Sequence, residues 1–252
     1  MTLPLMPLQA IAVACRLRLA RSLPRFYHRM IARIMGFDVV VSGMPVEAPP
    51  VLFVGNHVSY LDITVLGSVV ETSFIAKAEI AAWPLFGWLA KLQRSVFVER
   101  RSARAGAQRD EIAERLAAGD SLVLFPEGTS DDGVHVLPFR TALFGVAERE
   151  VAGRPLTVQP FSIAYTRLHG VPIGREWQPV YAWYGDMDLP SHLWRVLGLG
   201  RARIDLMFHP PVTLPAFASR KALADHCFAA VRDGVLRAHA GVLPAPPESR
   251  SA

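Results

Sequence analysis

Short apolar runs alternate along this chain with longer segments of helical periodicity, and that alternation constrains the fold more than any other feature. The run 51–54 stops at the breaker Gly55-Asn56, and apolar residues recur at helical spacing from Leu61 onward. Because strands that alternate with helices build an α/β domain, we predict a mixed central sheet flanked by helices. The predicted strands are 37–42, 51–54, 73–76, 95–98, 121–125, 157–165, 180–183 and 203–208. The predicted helices are 16–35, 80–91, 103–118, 141–150 and 220–239.

The amino-terminal segment 1–37 carries six arginines and no acidic residue. On a helix over 16–35, five of them fall within an arc of about 120°, with apolar side chains opposite. These five are Arg18, Arg21, Arg25, Arg29 and Arg33. This pattern fits a surface helix packed on its own domain, and it also fits a helix lying on anionic lipid. We expect 1–37 to be an amphipathic membrane-interface helical segment, 38–243 an α/β domain and 244–252 a disordered tail.

Charge and hydropathy together favour a membrane surface over nucleic acid as the partner of this protein. The net charge is +5, yet 51% of the residues are apolar. The apolar stretch before Arg16 is broken by prolines and falls short of the about 20 residues that a spanning helix needs. The two cysteines, Cys15 and Cys227, have neither metal nor redox spacing. We therefore expect a peripheral or monotopic protein with no metal, no cofactor and no bound nucleic acid.

His57 and Asp62 follow the apolar run 51–54 and are the leading candidates for chemistry. Residues five apart on one helix point about 140° apart, so the two side chains meet only if His57 lies in the turn and Asp62 in the first helical turn. The carboxyl ends of strands in an open α/β sheet are where ligands bind. Ser59 and Asp62 also fit a capping box, in which the carboxylate only holds the helix start. The spacing allows both interpretations.

Three further groups follow other predicted strands. Arg100 ends one strand, and a guanidinium binds two oxygens of a phosphate or carboxylate at once. Glu127, Gly128 and Thr129 end the next strand, where a carboxylate, backbone N–H groups and a hydroxyl can hold a polar head group. Arg140 lies a few residues further on. The alternatives are a solvated strand end for Arg100 and an ordinary Pro/Gly turn for the others.

Taken in order, these groups resemble the four motif blocks of the glycerolipid acyltransferases typified by 1-acylglycerol-3-phosphate acyltransferase. The matching stretches are Asn56-His57-Val58-Ser59-Tyr60-Leu61-Asp62, Val96-Phe97-Val98-Glu99-Arg100, Phe125-Pro126-Glu127-Gly128-Thr129 and Val158-Gln159-Pro160. Three positions depart from the family pattern. Arg94 stands where the second block usually opens with glycine, Ser130 where the third often continues with arginine, and Gln159 separates a Val-Pro pair.

The resemblance implies that His57 is the general base and Asp62 its orienting partner. It further implies that Arg100 and 127–129 serve the acceptor and that 158–160 shapes the acyl-donor side. Arg101 or Arg140 is the candidate to substitute for the arginine that Ser130 replaces. An alcohol attacks a thioester only once a base takes its proton, and a neutral imidazole near pH 7 suits that task.

The implied function is transfer of a fatty acyl group from acyl carrier protein or coenzyme A to the free hydroxyl of a lyso-glycerolipid, with 1-acylglycerol-3-phosphate giving phosphatidate. The basic stretch 91–109 suits either anionic donor. Because Ser130 replaces an arginine, the alternative acceptor is a lyso-ornithine lipid, whose head group is an amino acid. The rival from another class is a non-catalytic membrane lipid-binding protein. Either would lie at the cytoplasmic face of the cell membrane.

Overall fold

The computed structural model describes residues 2–99, 105–151 and 153–242, so the predicted tail 244–252 lies outside the described residues. The α-helices are α1 Thr2–Ala14, α2 Leu19–Ile34, α3 Leu61–Val69, α4 Phe86–Leu92, α5 Ala105–Ala117, α6 Leu189–Gly198 and α7 Arg220–His239. The strands are β1 Phe37–Ser42, β2 Val51–Gly55, β3 Ser73–Lys77, β4 Val96–Val98, β5 Leu122–Leu124, β6 Glu150–Val151, β7 Arg154–Pro155, β8 Thr157–Leu168, β9 Val171–Pro172, β10 Ala202–Phe208 and β11 Val212–Thr213.

The main sheet is mixed, as predicted. Its strands follow the order β1-β10-β8-β2-β5-β3-β4, with β9 and β11 also paired to β8. Strands β8, β2, β5, β3 and β4 run parallel, whereas β10 runs antiparallel to β8. Because β2 and β5 are parallel neighbours, the turns that follow them lie at the same edge of the sheet. That edge holds the His57 turn and the Glu127 turn.

Strand β2 lies at the centre of the core, and all five of its residues are buried. Val51 and Phe53 pack on the side of α2, α3 and α6. Leu52 and Val54 pack on the side of α5 and α7. A strand covered on both faces needs apolar side chains at every position, which explains why 51–54 is a continuous run instead of an alternating one.

Helix α2 packs on the domain through the arginines that were expected to face lipid. Arg29 Nε donates to the Ser68 carbonyl oxygen at 2.9 Å, and Arg21 Nε pairs with the carboxylate of Asp120 at 3.1 Å. Arg25 is half-buried, while Arg18 and Arg33 are exposed. The interpretation as a surface helix packed on its own domain therefore fits Arg21, Arg25 and Arg29, the middle three of the five arginines. None of the described helices is long and apolar enough to cross a bilayer.

Several predicted elements differ from the observed ones. The predicted strand 180–183 is wrong, because Tyr181 and Ala182 follow a 3₁₀ turn and are buried there without sheet pairing. The predicted helix 80–91 is split into the 3₁₀ segment Ala78–Ala82 and α4, with Pro84 between them. The predicted helix 141–150 is a 3₁₀ segment, Thr141–Glu148. Helices α1 and α6 were not predicted.

Candidate active site

His57 and Asp62 meet at the end of β2. Gly55 allows the close approach of β8, because a Cβ there would lie 2.4 Å from the Phe161 ring. The Asn56 side chain accepts from the N–H of Ile163 and donates to its carbonyl oxygen, both at 2.9 Å, which ties the end of β2 to β8. The chain then turns, and α3 begins at Leu61. His57 Nδ1 and Asp62 Oδ2 are 2.9 Å apart, so the spacing argument is confirmed.

Asp62 is fully buried, and it also holds the turn. Its Oδ2 accepts hydrogen bonds from the backbone N–H groups of Val58 at 2.7 Å and Ser59 at 3.0 Å. Ser59 Oγ accepts only a long 3.4 Å bond from the Leu61 N–H, so half of the capping box is formed. Backbone N–H groups only donate, so Asp62 is an ionised acceptor and His57 Nδ1 carries a proton. The other ring nitrogen, Nε2, is then the acceptor that a general base needs.

The His57 ring is also held by a second aromatic ring against one of its faces. It stacks on Phe125 with ring centroids 4.1 Å apart and planes 16° from parallel. Its side chain keeps 22% of its surface exposed, whereas that of Asp62 keeps none. A base that stays accessible while its orienting partner is buried has the arrangement that proton transfer to a substrate requires.

Glu127 braces the same turn. Its Oε1 accepts from the His57 N–H at 2.9 Å and its Oε2 accepts from the Leu137 N–H at 3.2 Å. Burial raises the pKa of Glu127 to about 8, opposed by these two N–H donors. Both carboxylate oxygens of Glu127 thus accept hydrogen bonds from backbone N–H groups. The sequence did not indicate this bracing role.

Gly128, Thr129 and Arg140 come together beyond Glu127. Gly128 has φ +73°, and a Cβ there would lie 3.1 Å from the guanidinium carbon of Arg140. Arg140 is exposed, and its backbone N–H donates to the Pro126 carbonyl oxygen at 2.9 Å. Thr129 is half-buried beside them. A cationic, hydroxyl-bearing corner therefore lies at the carboxyl end of β5. Arg100, predicted for the same site, lies outside the described residues.

The loop after Thr129 runs beside the His57 turn. The Asp131 N–H donates to the His57 carbonyl oxygen at 3.1 Å, and Ser130 Oγ donates to the Trp183 carbonyl oxygen. Within the described part of the chain, the half-buried carboxylate of Asp131 has no hydrogen-bond or ion-pair partner. An anionic side chain thus stands one residue after the position where the family often has arginine. Sequence analysis did not single it out.

Tyr165 is a second residue that sequence reasoning missed. Its hydroxyl donates to Asp62 Oδ1 at 2.9 Å from the far side of the carboxylate. Burial and then the charge of Asp62 hold the pKa of Tyr165 well above its ordinary value. The available signal was a tyrosine within the apolar run of β8, since a hydroxyl buried there needs a partner.

An apolar cleft of about 600 Å³ opens beside His57. Helices α1, α2, α3, α4 and α6 wall it with mostly apolar side chains, and Tyr60 and Trp183 line it near His57. Residues 158–160 do not line this cleft, because they pair with 52–54 inside the sheet. A smaller, more polar cavity of about 340 Å³ lies at the opposite edge, among residues that precede β2, β3 and β5.

Comparison with known proteins agrees with this geometry. The acyltransferase family model matches residues 38–164. A lyso-ornithine lipid O-acyltransferase of Brucella abortus (strain 2308) is 46% identical over 228 residues, covering 89% of this chain and 85% of that protein. A 1-acyl-sn-glycerol-3-phosphate acyltransferase of Neisseria gonorrhoeae is 33% identical over 193 residues, covering 75% and 72%. The crystal structure of the 1-acyl-sn-glycerophosphate (LPA) acyltransferase PlsC from Thermotoga maritima shares the fold, with a TM-score of 0.60 at 24% identity over 86% of this chain and 78% of that one.

Proposed function

This chain belongs to the acyltransferase family, and we propose that it transfers a fatty acyl group from a thioester to the free hydroxyl of a lyso-lipid. The observation that carries the proposal is the 2.9 Å contact between His57 Nδ1 and Asp62 at the wall of an apolar cleft. The contact leaves His57 Nε2 as the general base, and the cleft offers room for a hydrocarbon chain.

The proposed reaction balances without a covalent enzyme intermediate. The acceptor hydroxyl oxygen attacks the thioester carbon while His57 Nε2 takes its proton, and Asp62 stabilises the imidazolium that forms. The tetrahedral intermediate then expels the thiolate sulfur, which receives that proton from His57. An ester bond forms, a thioester bond breaks, and the enzyme returns to its starting protonation state. Glu127, Val58 and Ser59 keep the turn in place during both steps.

The cleft supports the acyl part of this assignment. Its volume falls within the roughly 300–1,000 Å³ of ordinary ligand sites. Its walls are mostly apolar side chains of α1, α2, α3, α4 and α6, so a fatty chain is bound by the hydrophobic effect with few polar groups to fix it. Apolar walls beside His57 also exclude water, which would otherwise hydrolyse the thioester.

We propose a lyso-ornithine lipid as the acceptor. When one amino group of ornithine is joined to a fatty chain, the head group keeps one ammonium and one carboxylate. Arg140 offers a cation for the carboxylate, and Asp131, which has no ion-pair partner in the described part of the chain, offers an anion for the ammonium. A phosphate acceptor would be repelled by Asp131 and would miss the arginine that Ser130 replaces. The relative from Brucella abortus, 46% identical, is named for this same acceptor.

We propose that the lyso-lipid acceptor enters from the membrane. Leu3, Ile34 and Leu197 line the cleft and are 72%, 62% and 48% exposed. Trp194, in the same helix as Leu197, is 80% exposed. Exposed apolar side chains around a lipid cleft are typical of a surface that dips into the bilayer interface. In this proposal 1–37 supplies the membrane-facing wall and 38–243 the acyltransferase domain, held peripherally at the cytoplasmic face.

The donor is proposed to be acyl carrier protein or coenzyme A, both of which are anionic. The stretch 91–109 is strongly basic, which supports docking of either one near β4 and α5. Coenzyme A and acyl carrier protein carry the same thioester, so the chemistry at His57 is identical for both.

The test is an acyl-transfer assay with a labelled acyl thioester and two acceptors, lyso-ornithine lipid and lysophosphatidate. We expect wild-type protein to acylate lyso-ornithine lipid with the higher kcat/KM. His57→Ala should abolish transfer while the protein stays folded and bound to vesicles. His135→Ala is the matched control, because His135 is exposed on the loop beyond Asp132. Preference for lysophosphatidate would overturn the acceptor assignment, and transfer by His57→Ala at the wild-type rate would refute His57 as the base. Vesicle binding by wild type without transfer to either acceptor would favour a non-catalytic lipid-binding protein.

A further inference from the structure

We infer that Tyr165 is a positioning residue of the acyl transfer and acts through Asp62. This inference rests on the proposed function, since it assigns a role within the same reaction. Tyr165 lies on β8, away from the cleft lining, and its hydroxyl reaches the carboxylate from behind. It therefore touches neither the acceptor nor the thioester.

The hydrogen bonds of Asp62 are divided unequally between its two oxygens. Oδ2 accepts from His57 Nδ1 and from the N–H groups of Val58 and Ser59. In the described part of the chain, Oδ1 accepts from Tyr165 alone. Three donors on one oxygen leave the carboxylate free to pivot about that oxygen unless the other is held. Tyr165 supplies the fourth point and fixes the carboxylate plane.

The Tyr165 ring is itself held firmly. Its ring stacks on Tyr181 with centroids 5.1 Å apart and planes 13° from parallel, and it meets Phe37 edge-on at 6.4 Å. The raised pKa of Tyr165 keeps its hydroxyl a neutral donor across the working pH range. A donor hydrogen bond also spreads the charge of a carboxylate and makes it less basic. Tyr165 thus sets where the Asp62 carboxylate lies relative to His57.

Tyr165→Phe removes the hydroxyl and keeps the ring, so packing on Tyr181 is preserved. We expect kcat to fall about 10-fold, the scale of one hydrogen bond to a charged group, with both KM values nearly unchanged. Asp62 becomes more basic without its donor and holds the imidazolium more strongly. The acidic limb of the pH profile of kcat/KM should therefore move to higher pH.

Tyr181→Phe is the matched control. Tyr181 is fully buried and stacks on the same ring, and its hydroxyl has no hydrogen-bond partner among the described residues. Deleting that hydroxyl should leave kcat and the pH profile unchanged. A residue that only filled the core would lower the unfolding temperature in Tyr165→Phe without moving the acidic limb.

The final arm combines Tyr165→Phe with Asp62→Asn. If Tyr165 acts through Asp62, the double variant is no slower than Asp62→Asn alone within about twofold. Additive losses would overturn the inference, and so would an unchanged kcat and pH profile in Tyr165→Phe. Wild-type protein that transfers no acyl group to any acceptor would instead refute the proposed function.

Discussion

Replacing Asp62 by asparagine separates the charge of this side chain from its hydrogen bonds. The carboxylate accepts from four donors, three of them on Oδ2. An asparagine oxygen placed at the Oδ2 position keeps those three, and its NH₂ then faces the Tyr165 hydroxyl, which can rotate to accept. His57 Nδ1 keeps its proton in this orientation. The opposite orientation sets the NH₂ against three donors and is excluded by their repulsion.

The size of the effect follows from what asparagine keeps. The geometry survives, but the imidazolium formed during proton transfer loses its counter-charge, so we expect kcat to fall about 10²- to 10⁴-fold. In Asp62→Asn, the three hydrogen bonds that the carboxylate oxygen accepts become bonds to a neutral amide oxygen, and each is weakened by roughly half. We therefore expect the free energy of unfolding of Asp62→Asn to be about 2 kcal/mol lower than that of wild type. His57→Ala should cost more activity, because it removes the base itself.

The assay measures acyl transfer under saturating donor and acceptor, together with urea unfolding of the same preparations. Asp132→Asn is the matched control, since the Asp132 carboxylate holds a neighbouring loop through the Val134 N–H and does not touch His57. Its kcat should stay within about twofold of wild type, as for other changes remote from the chemistry. If Asp62→Asn lost stability but kept full turnover, the carboxylate would be a cap and the proposed catalytic role would be refuted.

Three further predictions follow from charge and exposure. Asp131→Asn should raise the KM for lyso-ornithine lipid about 10-fold, the scale of one lost contact to an ammonium, and a fall or no change would remove Asp131 from the acceptor site. Trp194→Ser should weaken binding to anionic vesicles in a sedimentation assay. Trp177→Ser should not, because Trp177 is also exposed, at 64%, but lies outside the helices that wall the cleft. Burial lowers the pKa of His28 to about 4, below its ordinary 6.5. The stabilisation from the neutral, buried His28 side chain is therefore complete above pH 6.5 and is lost as the pH falls toward 4. Urea unfolding of wild type and His28→Gln across that range should show a steeper loss in wild type, by at most about 3 kcal/mol, and parallel curves would contradict the assignment.

The central strands of the sheet, β2 and β8 among them, were predictable because they are buried on both faces. Strand β1 and helix α7 begin and end where the sequence indicated, and β2, β3 and β10 differ by a residue or two. The failures share a cause. Residues 180–183 are apolar because tertiary packing buries Tyr181 and Ala182 in a turn, and an apolar run alone does not distinguish that from a strand. Helix α1 forms despite an internal proline, with Pro4 in its first turn.

The site was predictable as far as motif residues go, but their partners were not. The spacing of His57 and Asp62 allowed a contact, and the structure forms it. Tyr165 comes from a strand 103 residues later, so no local pattern joins it to Asp62. The arginines of α2 show the same limit, since Arg29 reaches the Ser68 carbonyl across 39 residues. Helical periodicity predicts which side chains share a face, but it does not predict what that face meets.

The catalytic and capping interpretations of Asp62 turn out to be compatible in one carboxylate. The turn after β2 must present free N–H groups to start α3, and these converge on Oδ2 from one side. The same turn projects His57 so that its Nδ1 reaches that oxygen from the cleft side. Donors from the helix start hold the carboxylate in place, which is the condition for it to orient an imidazole. In the proposed mechanism the cap therefore also positions the base, and a variant that freed Asp62 from the turn would be expected to lose activity before it lost the fold.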